Sequence, residues 1–75
     1  MTDIDVAARL TAMNDALTAK TGKPAIPPRL IQSGDGRAAV HFVTADMQHH
    51  DASAGSVAEA LDLADRAIAA MRGAA

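Results

Sequence analysis

Two segments with apolar residues at helical spacing, residues 2–21 and 56–72, enclose a region whose residues favour β-strands. Within that region, a turn signal at residues 33–36 (Ser-Gly-Asp-Gly) separates one short apolar run from the strand-like residues 40–43. The pattern predicts one α+β domain over residues 1–75, with the element order α-β-β-α and room for a third strand. We expect an antiparallel hairpin or a three-stranded sheet packed against two helices.

Length and composition restrict the core of this domain to a small volume. A chain of 75 residues buries a modest share of its surface, and this one has no cysteine to form a stabilising disulfide. Phe42 is the only aromatic residue, and alanine makes up about a quarter of the chain. Self-association is a common remedy for so small a core, and we therefore predict a homodimer.

The charge distribution argues against a nucleic-acid partner. The net charge is −2, and the seven Lys and Arg residues are scattered through the sequence, whereas nucleic-acid modules concentrate cations on one face. Residues 1–5 lack the cationic and apolar features of a signal peptide. No apolar stretch approaches the ~20 residues that span a bilayer. We expect no membrane contact and a cytoplasmic location in a bacterial host.

The first helix is predicted to begin at Thr2 as N-cap and to end before Gly22. Asp5 and Arg9 stand four residues apart and are expected to pair weakly. Its apolar stripe is narrow and contains Val6, Leu10, Met13 and Leu17.

The second helix has the stronger start signal. Ser56 and Glu59 fit a capping box, and Gly73 is the expected C-terminal stop. Asp62 and Arg66 are expected to pair on the exposed face. Its core stripe contains Val57, Leu61, Ala64, Ile68 and Met71.

Four apolar residues outside the predicted core are the candidate dimer interface. Leu63 falls beside Ala67 and away from the stripe of the second helix. A single exposed leucine is ordinary, but a partner helix can also cover such a flank. Ile31 and Val43 lie on the second face of the predicted hairpin. The candidate interface residues are Ile31, Val43, Leu63 and Ala67.

A three-residue loop at residues 34–36, with glycine in the left-handed position, is the favoured hairpin connection. It places Leu30 opposite Val40 and keeps Phe42 on the same face. A two-residue turn shifts the register by one residue and brings Arg29 to the side of Phe42, which is less favourable. Residues 47–52 form either a third strand, after a turn at residues 45–46, or a loop.

The motifs that resemble catalytic or cofactor sites have simpler explanations. Residues 34–39 match the G-x-G-x-x-A dinucleotide pattern, but β-forming residues follow where that motif requires a helix. His49, His50 and Asp51 form the only run of metal-capable side chains, and adjacent histidines seldom chelate one ion together. A triad of Ser53 or Ser56 with His49 and Asp46 lacks a nucleophile elbow. We therefore predict no enzymatic activity, no metal and no cofactor.

Residues 55–61 (Gly-Ser-Val-Ala-Glu-Ala-Leu), with the spaced alanines after them and the element order, resemble a double-stranded-RNA-binding domain. The resemblance implies an α-β-β-β-α fold and covers Gly55, Ser56 and Ala60 in sequence. Residues 57–59 (Val-Ala-Glu) replace the basic residues with which that family binds phosphates, so RNA binding is not implied. The same segment is similar to HicB-type antitoxins. In size and acidity the chain is similar to phage-encoded inhibitors of the anti-CRISPR type.

The first functional hypothesis is a phage or mobile-element protein that binds and inhibits a host complex, with a CRISPR effector as the best named target. Its carboxylates would compete for a basic groove by charge complementarity. Nine acidic residues on a small domain are also explained by solubility alone. The candidate partner-binding residues are Asp35, Asp46, Asp51, Asp62 and Asp65. The alternatives are a nucleic-acid-binding or antitoxin-like regulator that uses Lys23, Arg29 and Arg37, and a virion accessory subunit.

Overall fold

The element order in the structure, a computed structural model that describes residues 5–71, is α-β-β-β-α. The elements are α1 (Val6–Thr21), β1 (Ile26–Gln32), β2 (Ala38–Val43), β3 (His49–Ala54) and α2 (Val57–Ala70). The strands form one antiparallel sheet in the order β1-β2-β3. The predicted α+β class is confirmed, and the segment left open between strand and loop forms a third strand.

Both helices pack on one face of the sheet. Phe42 and Val40 alternate along β2 to this face, where they join Met13 and Leu17 of α1 in one buried cluster. The buried residues of α2 belong to the same cluster and are Ala60, Leu61, Ala64 and Ile68. The predicted stripes are therefore correct in phase, but Leu10, a member of the α1 stripe, is only partly buried at the margin of the core.

The first helix starts later than predicted. Asp5 is the N-cap, with an extended backbone (φ −84°, ψ 90°), and its carboxylate accepts the N–H of Ala8 at 3.0 Å. Thr2, the predicted cap, lies outside the described residues, as do Arg72 and Gly73 at the predicted end of the second helix. Because Asp5 is engaged in capping the helix, the expected Asp5–Arg9 pair does not form. The predicted stop at Gly22 is confirmed, since its N–H bonds to the carbonyl of Thr18.

The N-terminus of α2 carries the predicted serine cap. The hydroxyl of Ser56 accepts the N–H of Glu59 at 3.2 Å, and the Glu59 carboxylate lies 3.3 Å from the same hydroxyl. The helix ends at Ala70, two residues before the predicted limit. No helix in the described part of the chain has the length and hydropathy needed to cross a bilayer.

Both hairpins are closed by three-residue loops of one design. In the first, the Ser33 N–H bonds to the carbonyl of Arg37, and Gly36 is left-handed (φ 88°), as predicted. In the second, the Thr44 N–H bonds to the carbonyl of Gln48, and the left-handed residue is Met47 (φ 68°). The second loop therefore contains three residues, 45–47, instead of the two predicted, and β3 starts at His49.

Candidate functional site: the open face of the sheet

The face of the sheet opposite the helices is open, and strand register fixes which residues share it. Leu30 pairs with Val40, as predicted, so the next row places Arg29 opposite His41. On the other side of β2, His41 pairs with Asp51. Because alternate residues of a strand share a face, these three side chains form a polar row across all three strands.

Within this row, His41 and Asp51 are hydrogen-bonded. The His41 Nδ1 lies 2.6 Å from the Asp51 Oδ1, and the ring of His49 lies 5.7 Å from that of His41, centroid to centroid. The neighbouring His50 points to the covered face, where its ring stacks on Phe42 at 5.0 Å. The two adjacent histidines therefore point to opposite faces, as the strand periodicity predicts.

Apolar side chains of β1 lie on both sides of the polar row. Ile31, on one side of the row, is 53% exposed, and Ile26, on the other, is 39% exposed. Val43 shares the open face by alternation but is fully buried. It is flanked in register by Ile26 and His49, which explains why it cannot contribute to a dimer surface as the sequence suggested.

The five candidate partner-binding carboxylates are not brought together. Asp35 and Asp46 sit in the two hairpin loops, at opposite ends of the sheet. Each accepts a hydrogen bond from the hydroxyl that precedes the loop, Ser33 for Asp35 and Thr44 for Asp46. The Ser33 hydroxyl, and then the backbone of Arg37, lowers the pKa of Asp35. The Thr44 hydroxyl likewise lowers the pKa of Asp46. Both carboxylates stabilise loop geometry.

Asp62 and Asp65 hold the two helices together. Arg9 of α1 donates to the Asp62 carboxylate at 3.0 Å and also to that of Asp65. The hydrogen bonds that the Arg9 guanidinium donates to Asp65, and then to Asp62, raise its pKa. The predicted Asp62–Arg66 pair is therefore replaced by an interhelical bridge. Of the five carboxylates, Asp51 alone lies on the open face.

A lysine that the sequence pattern did not indicate joins α1 to the C-terminal end of α2. The Lys20 ammonium donates to three backbone carbonyls at the end of α2, those of Ile68 (3.0 Å), Ala69 (2.8 Å) and Met71 (3.3 Å). Its position in the last turn of α1 was a signal for capping α1 itself. Only the tertiary arrangement directs it to α2.

The residues considered for a metal site or a triad each have another role or neighbour in the structure. Ser56 caps α2, Asp46 accepts from Thr44, and His49 lies beside His41. Among residues 5–71, no three His, Asp or Glu side chains are grouped to hold a metal ion. The glycine motif at residues 34–39 forms the first hairpin loop and the start of β2, which confirms the hairpin interpretation.

Comparison of the chain with protein-family models, with curated proteins and with solved structures found no match.

Proposed function

We propose that this chain is a small protein-binding domain that acts by covering part of the surface of a larger protein with the open face of its sheet. The observation that carries the proposal is the difference in exposure between the two faces of the sheet. The helices cover one face only, and the other presents exposed Ile26 and Ile31 around the row of Arg29, His41 and Asp51. Protein interfaces combine exposed apolar side chains with hydrogen-bonding groups, and arginine is enriched in them.

The chemistry of this face specifies the partner surface. Ile26 and Ile31 start and nearly end one strand, so they are about 15 Å apart and need two apolar sites at that spacing. Arg29 is exposed between them and fits a carboxylate, since its planar guanidinium binds carboxylates through two hydrogen bonds. The partner is therefore an apolar protein surface with an acidic group near its centre.

Inhibition of a CRISPR effector is the specific form of this function that the sequence suggests. Its support is the small size, the net charge of −2 and the general likeness to phage-encoded inhibitors. Because the carboxylates are dispersed, the open face replaces the acidic residues as the proposed contact.

A capture experiment with matched variants tests the proposed surface. Tagged protein is incubated with host lysate, and captured proteins are identified by mass spectrometry. The Ile26→Glu/Ile31→Glu variant should lose the captured protein. Leu63→Glu, at a residue as exposed as Ile26 but on the helix layer, should retain it. Equal capture by wild type and the double variant would contradict the proposal. The identity of the captured species, whether an effector, a toxin or a capsid protein, decides the specific form.

The nucleic-acid alternative is opposed by the helix end where a phosphate would bind. A helix N-terminus favours anions, but the Glu59 carboxylate already lies 3.3 Å from the Ser56 hydroxyl there. Arg29 and Arg37 belong to different regions, the open face and the first loop. We therefore predict a Kd no tighter than about 10⁻⁵ M for RNA or DNA at physiological salt. Fluorescence anisotropy with duplex and single-stranded oligonucleotides measures it, and a salt-sensitive submicromolar Kd would support a regulator instead.

A further inference from the structure

The two outer edges of the sheet are differently protected against another strand. With the order β1-β2-β3, the edges belong to β1 and β3. In β1, Pro27 and Pro28 lack the N–H that a neighbouring strand requires. The six residues of β3 contain no proline, and no strand within residues 5–71 pairs with its outer side. The β3 edge is thus the one open to strand addition.

The backbone bond at the second loop shows which groups of β3 point outward. The Thr44 N–H donates to the Gln48 carbonyl at 2.9 Å, which makes these two residues a hydrogen-bonded pair. In an antiparallel ladder such pairs alternate with non-bonded ones. The N–H and C=O groups of His49, Asp51 and Ser53 therefore face away from β2.

We propose that a second copy of this chain pairs with β3 in the antiparallel direction, so that two three-stranded sheets form one of six strands. The register places His49 opposite Asp51 of the second copy, and Asp51 opposite the other His49. Both residues carry outward backbone groups and both side chains lie on the open face, so each backbone pair is accompanied by a side-chain pair. His41 occupies the Asp51 Oδ1, which leaves Oδ2 to accept from the second histidine.

The helix beside this edge places Leu63 away from the centre of the proposed pairing. His50, at that centre, lines a shallow cleft with Met71 at the end of α2, whereas Leu63 lines another cleft with Ala54, four residues along β3. An antiparallel copy therefore displaces the two Leu63 side chains in opposite directions. Of the dimer residues expected from sequence, Leu63 lies outside this contact and Ile31 lies on the far strand.

The mass in solution, measured by light scattering, tests the proposed edge. Wild type at micromolar concentration should give twice the 7.7 kDa chain mass. His49→Pro removes the outward N–H that would pair with the Asp51 carbonyl of the second copy, at the first residue of β3, and should give a folded monomer. The matched control is Gln32→Pro, which removes an outward N–H of β1 by the same alternation and should remain dimeric. A monomeric wild type, or a His49→Pro variant that stays dimeric, overturns the proposal.

Charge at position 49 tests the register independently of any folding defect in the proline variants. His49→Asp sets two carboxylates opposite each other, twice per dimer, and should raise the dimer Kd about tenfold. His49→Lys restores an opposite-charge pair and should bind at least as tightly as wild type. Circular dichroism confirms that both variants are folded. Equal Kd values for the two variants would contradict the His49–Asp51 register.

Discussion

The two faces of the sheet are built from alternate residues of the same strands, yet the helices cover one face and leave the other exposed. On β2, Phe42 is fully buried beneath both helices, while the adjacent His41 lies on the open face and bonds to Asp51. On β1, Leu30 packs against the core, while the adjacent Ile31 is 53% exposed. Folding accounts for the first face and, on the second, for the fully buried Val43. The exposed apolar residues of the second face therefore require a separate explanation, for which we propose partner binding.

The largest expected difference between the faces is at β2. Phe42→Ala should lower the free energy of unfolding by about 3–5 kcal/mol, because a large buried ring leaves a cavity. His41→Ala, one residue away, removes a surface hydrogen bond and should cost below about 1 kcal/mol. Urea denaturation of both variants measures the difference. Similar costs would mean that the open face also supports the fold.

The same contrast exists on α2 between Leu61 and Leu63. Leu61 is fully buried, and Leu61→Ala should cost about 2–5 kcal/mol. Leu63→Ala should change monomer stability by less than about 0.5 kcal/mol, as for other exposed positions. Thermal and urea unfolding at concentrations below the dimer Kd separate this effect from any loss of association. A small effect of Leu61→Ala would show that the predicted stripe faces water.

The helix layer should also depend on Lys20, whose ammonium joins α1 to the end of α2. Lys20→Met removes three hydrogen bonds to the C-terminal carbonyls of α2 and should destabilise the protein by about 1 kcal/mol. Lys23→Met, at an exposed position three residues later, is the control and should be near neutral. Chemical denaturation at low and high salt measures both. Equal effects of the two substitutions would contradict the capping role of Lys20.

The two loops should respond in opposite directions to a change at the left-handed residue. Gly36→Ala introduces a Cβ at φ 88° and should cost about 1 kcal/mol. Met47→Gly relieves a residue that is 66% exposed at φ 68° and should stabilise the fold by about 0.5–1 kcal/mol. Melting temperatures give the sign of each change. Destabilisation by Met47→Gly would show that the methionine side chain contributes to folding.

The elements that the sequence predicted are those with local signals. The serine cap at Ser56, the stop at Gly22 and the loop with Gly36 each depend on residues that are close to one another in the sequence. The structure confirms all three. The second loop repeats the first, with Thr44 and Asp46 in the places of Ser33 and Asp35. It was misjudged by one residue because methionine is not a signal for a left-handed position.

The candidate site was predictable only in part because its contacts are long-range. The bond between His41 and Asp51 requires the register of a third strand that the sequence left open. Arg9 had a nearer carboxylate at Asp5, and its pairing with α2 depends on how the helices cross the sheet. The exposed Ile31 was anticipated because strand periodicity alone assigns it to the second face.

Glutamate substitutions at two adjacent residues of β1 test the division between the faces most directly. Leu30→Glu places a charge against the core and should lower the free energy of unfolding by about 2 kcal/mol or more. Ile31→Glu places the same charge on the open face and should change it by less than about 0.5 kcal/mol. Urea denaturation of the two variants, under identical conditions, gives both values. Equal losses, or a larger loss for Ile31→Glu, would contradict the assignment of one face to folding and the other to binding.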